Sequence, residues 1–192
     1  EANCIVPPDY ISCEGPIDFG SVVWWKIPVL KSCAEYFLQK ASAQDKKLFK
    51  DFVKKQGYWL DNYALFMSIK EFYDKKAQEE DKFGAMWSNY WPKELATCKE
   101  DALNEWKEHN KQSIEIQKVI QFFFFTQWAA LKKYANEKGI LIIGDIPIFV
   151  AADSADVWAN QSLFQLDEDG RAKAVAGVPP DYFSATGQLW GN

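Results

Sequence analysis

An α/β architecture, mostly helical and holding one strand of a parallel sheet, is what this sequence predicts, and three observations predict it. Residues 27–138 place apolar side chains at helical spacing in one segment after another. Ile140-Leu141-Ile142-Ile143 then follows a long helix as an unbroken aliphatic run, the pattern of a strand covered on both faces. That run leads into Gly144-Asp145 and then into loops dense in Asp, Pro, Gly and aromatic residues, as the carboxyl end of a parallel strand does where it opens on a ligand crevice. One helix–strand unit is too few for a complete α/β domain, since a closed eightfold barrel takes about 250 residues and eight such strands. The chain reads as an excerpt of a longer protein, in three regions: 1–26, irregular; 27–138, helical; and 139–192, a strand followed by a long loop.

Taken in order, residues 1–20 are turn chemistry, with Val6-Pro7-Pro8-Asp9-Tyr10 and Glu14-Gly15-Pro16 and no starting Met. Helical spacing begins at 27–40, where Pro28 fits a first turn and Leu30, Ala34, Phe37 and Leu38 form one stripe. A second helix is predicted over 45–56, with Leu48, Phe49, Phe52 and Val53 on one face and Gly57 as its stop. A third covers 60–73, turning Tyr63, Ala64, Met67 and the neighbouring Phe66 inward. Residues 74–93 read as a charged linker ending in the turn Trp87-Ser88-Asn89-Tyr90-Trp91-Pro92, and 94–109 as a polar helix. Ser113 is placed to cap a long helix to 138, lined by Val119, Ile120, Phe123, Phe124, Trp128, Leu131 and Tyr134 and ended by Gly139.

Composition narrows the function. Nine Trp, eight Tyr and fourteen Phe make 16% of the chain, more rings than a core of this size needs. The apolar face of a pyranose stacks on such rings, while bulky helical packing also consumes them. A net charge of −5 argues against nucleic acid as a partner, and a neutral glucan needs no charge complement. The four Cys lack metal-ligand spacing and His109 is the single His, so neither a zinc site nor a Ser-His-Asp triad is expected. His109 lies in a polar stretch and reads as a solvated surface residue. The longest apolar run, 146–152, is far too short for a membrane span and contains Pro147. With no signal peptide either, reduced thiols in a cytoplasmic protein are expected.

Asp145, at the end of the predicted strand, is placed either to meet a substrate or to accept hydrogen bonds from neighbouring backbone N–H groups. Asp153-Ser154-Ala155-Asp156 reads as a helix start, with Asp153 or Ser154 capping and Asp156 favoured by the positive end of the helix. Asp167-Glu168-Asp169-Gly170 lacks the alternating ligands of a calcium loop and reads as a solvated hairpin turn. In the terminal loop, Pro179-Pro180 stiffens the approach to Asp181-Tyr182-Phe183, and Trp190 adds a third ring. Such a loop either covers a core edge or grips a ligand.

Three stretches carry a resemblance. They are Trp59-Leu60-x-x-Tyr63-Ala64-Leu65-Phe66, then Phe125-x-Gln127-Trp128-x-x-Leu131-Lys132-x-Tyr134-Ala135-x-x-x-Gly139-Ile140, and the nearly continuous run 144–192. They resemble the 4-alpha-glucanotransferase (amylomaltase, disproportionating enzyme) family, whereas 74–110 matches poorly. The resemblance implies a fragment of a (β/α)8 TIM-type barrel with a predominantly helical inserted subdomain, 139–192 being a barrel strand plus an active-site lid loop. It implies transfer of α-1,4-glucan segments to glucose or glucan acceptors with retention, on maltooligosaccharides, starch or glycogen, with no cofactor. Retention takes two carboxylates roughly 5 Å apart; by the resemblance these lie beyond Asn192, so the chain alone is expected to be inactive. What carries over is substrate contact by Asp145, Asp181, Tyr182, Phe183 and Trp190. Two alternatives stand beside it: a piece of an α-amylase-type hydrolase, which would lack the continuous 177–192 loop, and a free-standing aromatic-rich module binding glucan or protein.

Overall fold

The structure, a computed structural model, describes residues 8, 15–82, 84–146 and 149–190. Most of the N-terminal turn chemistry, with Cys4 and Cys13, lies outside the described residues, as do Pro147 and Ile148. Helix α1 is Phe19–Lys40, so it starts well before the expected residue 27. Asp18 makes the difference: its Oδ1 accepts from the N–H groups of Gly20 and Ser21, 3.0 and 3.3 Å away. The Ser21 hydroxyl and those N–H groups also hold the Asp18 carboxyl below the usual carboxylate range. Pro28 is therefore inside the helix rather than in its first turn. It forfeits the bond its N–H would have made to Trp24, a loss tolerated because α1 packs along a later helix.

The two helices expected over 45–56 and 60–73 are one, α2, Ala43–Glu79. Ser42 caps it by accepting from the Asp45 N–H at 3.1 Å. Gly57 does not stop it. A mid-helix Gly costs about 1 kcal/mol relative to Ala, whereas the same helix buries Phe49, Leu60, Leu65, Phe66 and Ile69, each contributing about 1.5–3 kcal/mol. Burial wins, and α2 also absorbs the start of the expected linker. The Trp-rich turn becomes two short helices, α3 Trp87–Tyr90 and α4 Lys93–Ala96. The polar helix expected over 94–109 is interrupted, because Cys98 adopts φ +54°, and resumes as α5, Glu100–His109.

Helix α6, Lys111–Glu137, has Asn110 at its N-cap position, three residues before the expected Ser113 cap. Gly139, at φ +74°, ends it: the Gly139 N–H reaches Asn136 O and the Ile140 N–H reaches Ala135 O, both at 3.0 Å. That pair of bonds is the Schellman arrangement, which needs a left-handed residue at this point. The apolar stripe of α6 is only half used. Val119 is buried and Ile120 and Phe123 half-buried, but Phe124, Trp128, Leu131 and Tyr134 are exposed.

Two cores result. One joins Phe66, Ile69, Trp87, Trp91, Leu95 and Trp158, the last from α7, Ala155–Ala159. The other joins Ala34, Phe49, Ile116 and Val119 where α1, α2 and α6 meet. The two most deeply buried indole N–H groups have partners: Trp87 donates to Ala152 O and Trp158 to Leu95 O, both at 2.9 Å.

The strand expected over 140–146 is not formed. Those residues form no regular element and are unpaired among the described residues, and Ile143 is 93% exposed. A strand exists only with a neighbour to share its ladder, and the described residues supply none here. The only sheet among them is antiparallel: β1, Gly177–Val178, pairs with β2, Gln188–Leu189, with Gly177 opposite Leu189 and Val178 opposite Gln188. Among the described residues, no helix is long and apolar enough to cross a membrane.

Candidate functional site

The terminal loop folds as a closed hairpin on the short β1–β2 ladder. Glycine is required at both sides of its neck. A Cβ at Gly177 would lie 2.6 Å from Gln188 O, and one at Gly187, where φ is +75°, 2.6 Å from Val178 O. Pro179-Pro180 leads out, and Asp181 then folds the tip. Its Oδ1 accepts from the N–H groups of Phe183 and Ser184, both at 2.9 Å, while its own N–H donates to Ser184 O at 3.0 Å. The Ser184 hydroxyl donates to Gly187 O at 2.7 Å, and the Trp190 N–H to Ala176 O at 2.8 Å.

These bonds give the predicted residues different physical positions. Asp181 braces the tip through Oδ1. Tyr182 and Phe183 are 90% and 76% exposed, their ring centroids 4.0 Å apart and their planes 34° apart. They form an apolar plate held in water by the turn beneath it. Trp190 sits lower, half-exposed, against Phe149 at 5.5 Å, its indole N–H on Gln188 Oε1 at 3.1 Å. Asp145 stands in an exposed irregular segment rather than at the end of a formed strand, and its Oδ1 accepts from the Ile146 N–H at 2.8 Å. The expected strand end is not formed among the described residues; the carboxylate accepts from the backbone through Oδ1, leaving Oδ2 for a further donor.

Phe149 is a contact that sequence reasoning passed over. It ties the segment after Asp145 to the hairpin base, and with Val150, Phe164, Leu166 and Val175 it lines a cleft of about 390 Å³. The signal was present, since an aromatic within a short apolar run flanked by loops has to find a neighbour. Nearby, Ser154 rather than Asp153 caps α7, its Oγ accepting from the Val157 N–H at 3.3 Å. Asp153 instead pairs with Lys70 at 2.6 Å. Burial, the largest single influence, works against charge on that lysine, but the Asp153 and Asp74 carboxylates together outweigh it and leave the Lys70 pKa raised. The 167–170 turn is closed by Asp167, whose Oδ1 accepts from the N–H groups of Arg171 and Asp169 at 2.8 and 2.9 Å. At Gly170 there, where φ is +80°, a Cβ would fall 2.5 Å from the Trp87 ring.

His109 is exposed, with Nδ1 on Glu105 O at 2.8 Å. Cys33 and Cys98 are free, and burial pushes the Cys98 thiol up to about 11. No group of three or more His, Cys, Asp or Glu is placed to hold a metal among the described residues. The arrangement can cover and orient an apolar-faced ligand; no chemistry of bond cleavage is assembled on it.

The family described as 4-alpha-glucanotransferase matches residues 6–192, a span that includes the whole hairpin, which the hydrolase alternative would lack. A 4-alpha-glucanotransferase from Thermus thermophilus is 45% identical over 93% of this chain and 34% of its own length. One from Synechocystis sp. is 42% identical over 97% and 36%. The solved structure of an amylomaltase from Streptococcus agalactiae in complex with acarbose superposes with a TM-score of 0.80 at 37% identity, over 92% of this chain and 33% of that one. The chain spans about a third of the length of the relatives it matches.

Proposed function

The chain belongs to the 4-alpha-glucanotransferase family, and from that premise we propose that it contributes the substrate-covering part of an enzyme that moves α-1,4-glucan segments onto glucose or glucan acceptors. The substrates are maltooligosaccharides, starch or glycogen, handled in the cytoplasm with retention of configuration. In this reading 140–146 is a strand of a (β/α)8 barrel completed by sequence this chain does not hold. The exposed aliphatics of 140–146 and the bare half of α6 are then the surface that the barrel covers, since apolar area of that extent is unfavourable in water.

The observation that carries the reading is the hairpin: two adjacent rings presented to solvent by a tip whose hydrogen bonds are all internal. A glucan lying with its apolar face on Tyr182 and Phe183 displaces water from both. Water excluded from a glycosyl-enzyme intermediate cannot compete with a sugar acceptor, so a covering plate favours transfer over hydrolysis. Trp190, anchored on Phe149, supplies a third surface at the hairpin base. The free oxygens of Asp145 and Asp181 accept from sugar hydroxyls, while nucleophile and acid/base come from elsewhere in the enzyme.

The test is a chimera in which this chain replaces the matched stretch of the Thermus thermophilus relative. A chimera that melts cooperatively is expected to convert maltotriose into glucose and longer maltooligosaccharides, and the 192-residue chain alone to release no glucose. A cooperatively folded chimera without transfer, or glucose release by the chain alone, contradicts the proposal.

A further inference from the structure

A second aromatic surface lies outside the hairpin. Where α2, the α3–α4 corner and α5 meet is a cavity of about 500 Å³, within the range of small-ligand sites, about 300–1,000 Å³. Its floor is Phe72, Tyr73 and Trp106. Phe72 stands edge-on to Trp106 at 5.4 Å and 77°, and Tyr73 lies within 30° of the indole plane at 6.1 Å. Trp106 is fixed in place, because its N–H donates to Ser68 Oγ at 3.1 Å and Ser68 is almost wholly buried. The polar edge of the indole is thereby committed to the interior and its carbon surface is left to the cavity. Phe72 remains 54% exposed at the mouth.

The rim carries acceptors. His109 Nδ1 lies 2.8 Å from Glu105 O; a carbonyl only accepts, so in the neutral ring Nδ1 holds the proton and Nε2 is left an acceptor. The Asn110 amide nitrogen donates to Trp106 O at 3.2 Å, which leaves its oxygen. The carboxylates of Glu94 and Glu105, also at this cavity, have no ion-pair partner among the described residues. An apolar floor ringed by several separate acceptors fits a ligand with an apolar face and several hydroxyl donors. It fits less well a single point charge, which would draw the acceptors to one spot.

We propose that this cavity is a second α-1,4-glucan site, which holds a maltooligosaccharide on Trp106 and Phe72 with its hydroxyls on the Glu94, Glu105 and Asn110 oxygens. The identity of the ligand rests on the glucan reading above; the site shares no residue with the hairpin and stands or falls separately. On a long glucan, a second grip keeps the chain near the enzyme between transfers and raises its local concentration.

The experiment is a titration of the 192-residue chain with maltoheptaose, followed through the indole N–H resonances of Trp106 and Trp190. The Trp106 resonance is expected to shift saturably and to do so in the Tyr182→Ala/Phe183→Ala variant as well. Phe72→Ala, a substitution at a half-exposed ring, and Glu105→Gln, on the exposed rim, are each expected to weaken that response at least threefold, about what loss of one aromatic or hydrogen-bonded contact gives. A Trp106 resonance that stays still up to millimolar maltoheptaose, or shifts equally in both rim variants, overturns the proposal. So does a shift with spermidine in place of maltoheptaose. Loss of the Trp190 response alone in the hairpin variant counts against neither the cavity nor its ligand.

Discussion

Trp87 and Trp158 lie almost wholly out of water with their indole N–H groups on backbone carbonyls, whereas Tyr182 and Phe183 lean on each other in solvent. The first pair is held by what surrounds it. The second is held by the backbone beneath it, through the Asp181 and Ser184 bonds and two glycines no other residue replaces without strain. Removing a core ring therefore takes away the folded state's contacts, and removing a hairpin ring takes away only a surface. Ring content alone does not separate these uses; the place of the backbone hydrogen bonds does.

The largest effect that can break this comparison is in the core. Trp158→Ala should cost about 3–5 kcal/mol of stability, the usual toll of a large buried ring, read from urea denaturation. A loss near zero would mean that the α2–α7 packing is not where the fold is held. Gly170→Ala comes next, because its Cβ would stand 2.5 Å from the Trp87 ring at φ +80°; about 2–4 kcal/mol is expected from clash and strain together. Gly139→Ala has a similar positive φ but open space around it, so only the strain remains, about 1–2 kcal/mol. Equal losses at the two glycines would remove the ring contact from the account.

A smaller effect is pH-linked. Burial raises the Cys98 thiol to about 11, so the folded chain keeps a proton that the unfolded chain gives up near its ordinary value of about 8.5. The resulting stability is fully present below about pH 8.5. It is lost as pH rises through the folded value of about 11. Partial exposure reduces the effect to about 1 kcal/mol. Urea midpoints at pH 8 and pH 10.5 should separate more for the native chain than for Cys98→Ala; parallel shifts would place the thiol in water.

Much of this was legible in the sequence where the signal is local. Gly139 as a helix stop, Ser154 as a cap and the 167–170 turn each rest on a few neighbouring residues and take the expected form. Gly57 misled because a local stop signal competes with burial far along the helix, and only the packed structure reveals the sum. Asp18 was passed over as part of a loop, though Asp before a helical run is a cap signal. Residues 140–146 failed as a strand for a different reason: the aliphatic run specifies what a strand would bury, not who pairs with it. In the hairpin, the aromatic and proline pattern marked residues that the structure gathers on one closed turn, while the bracing role of Asp181 needed the geometry.

The smallest stability effect is the most direct test. Tyr182→Ala and Phe183→Ala, made in the active chimera, are to be measured for melting temperature and for the ratio of transfer to hydrolysis on maltotriose. Exposed rings contribute little to folding, so the melting temperature should stay within about 2 °C, while the ratio falls about tenfold as the covering surface is lost. A melting temperature that drops by many degrees with an unchanged ratio would show the hairpin to be a packed structural edge and would contradict the account.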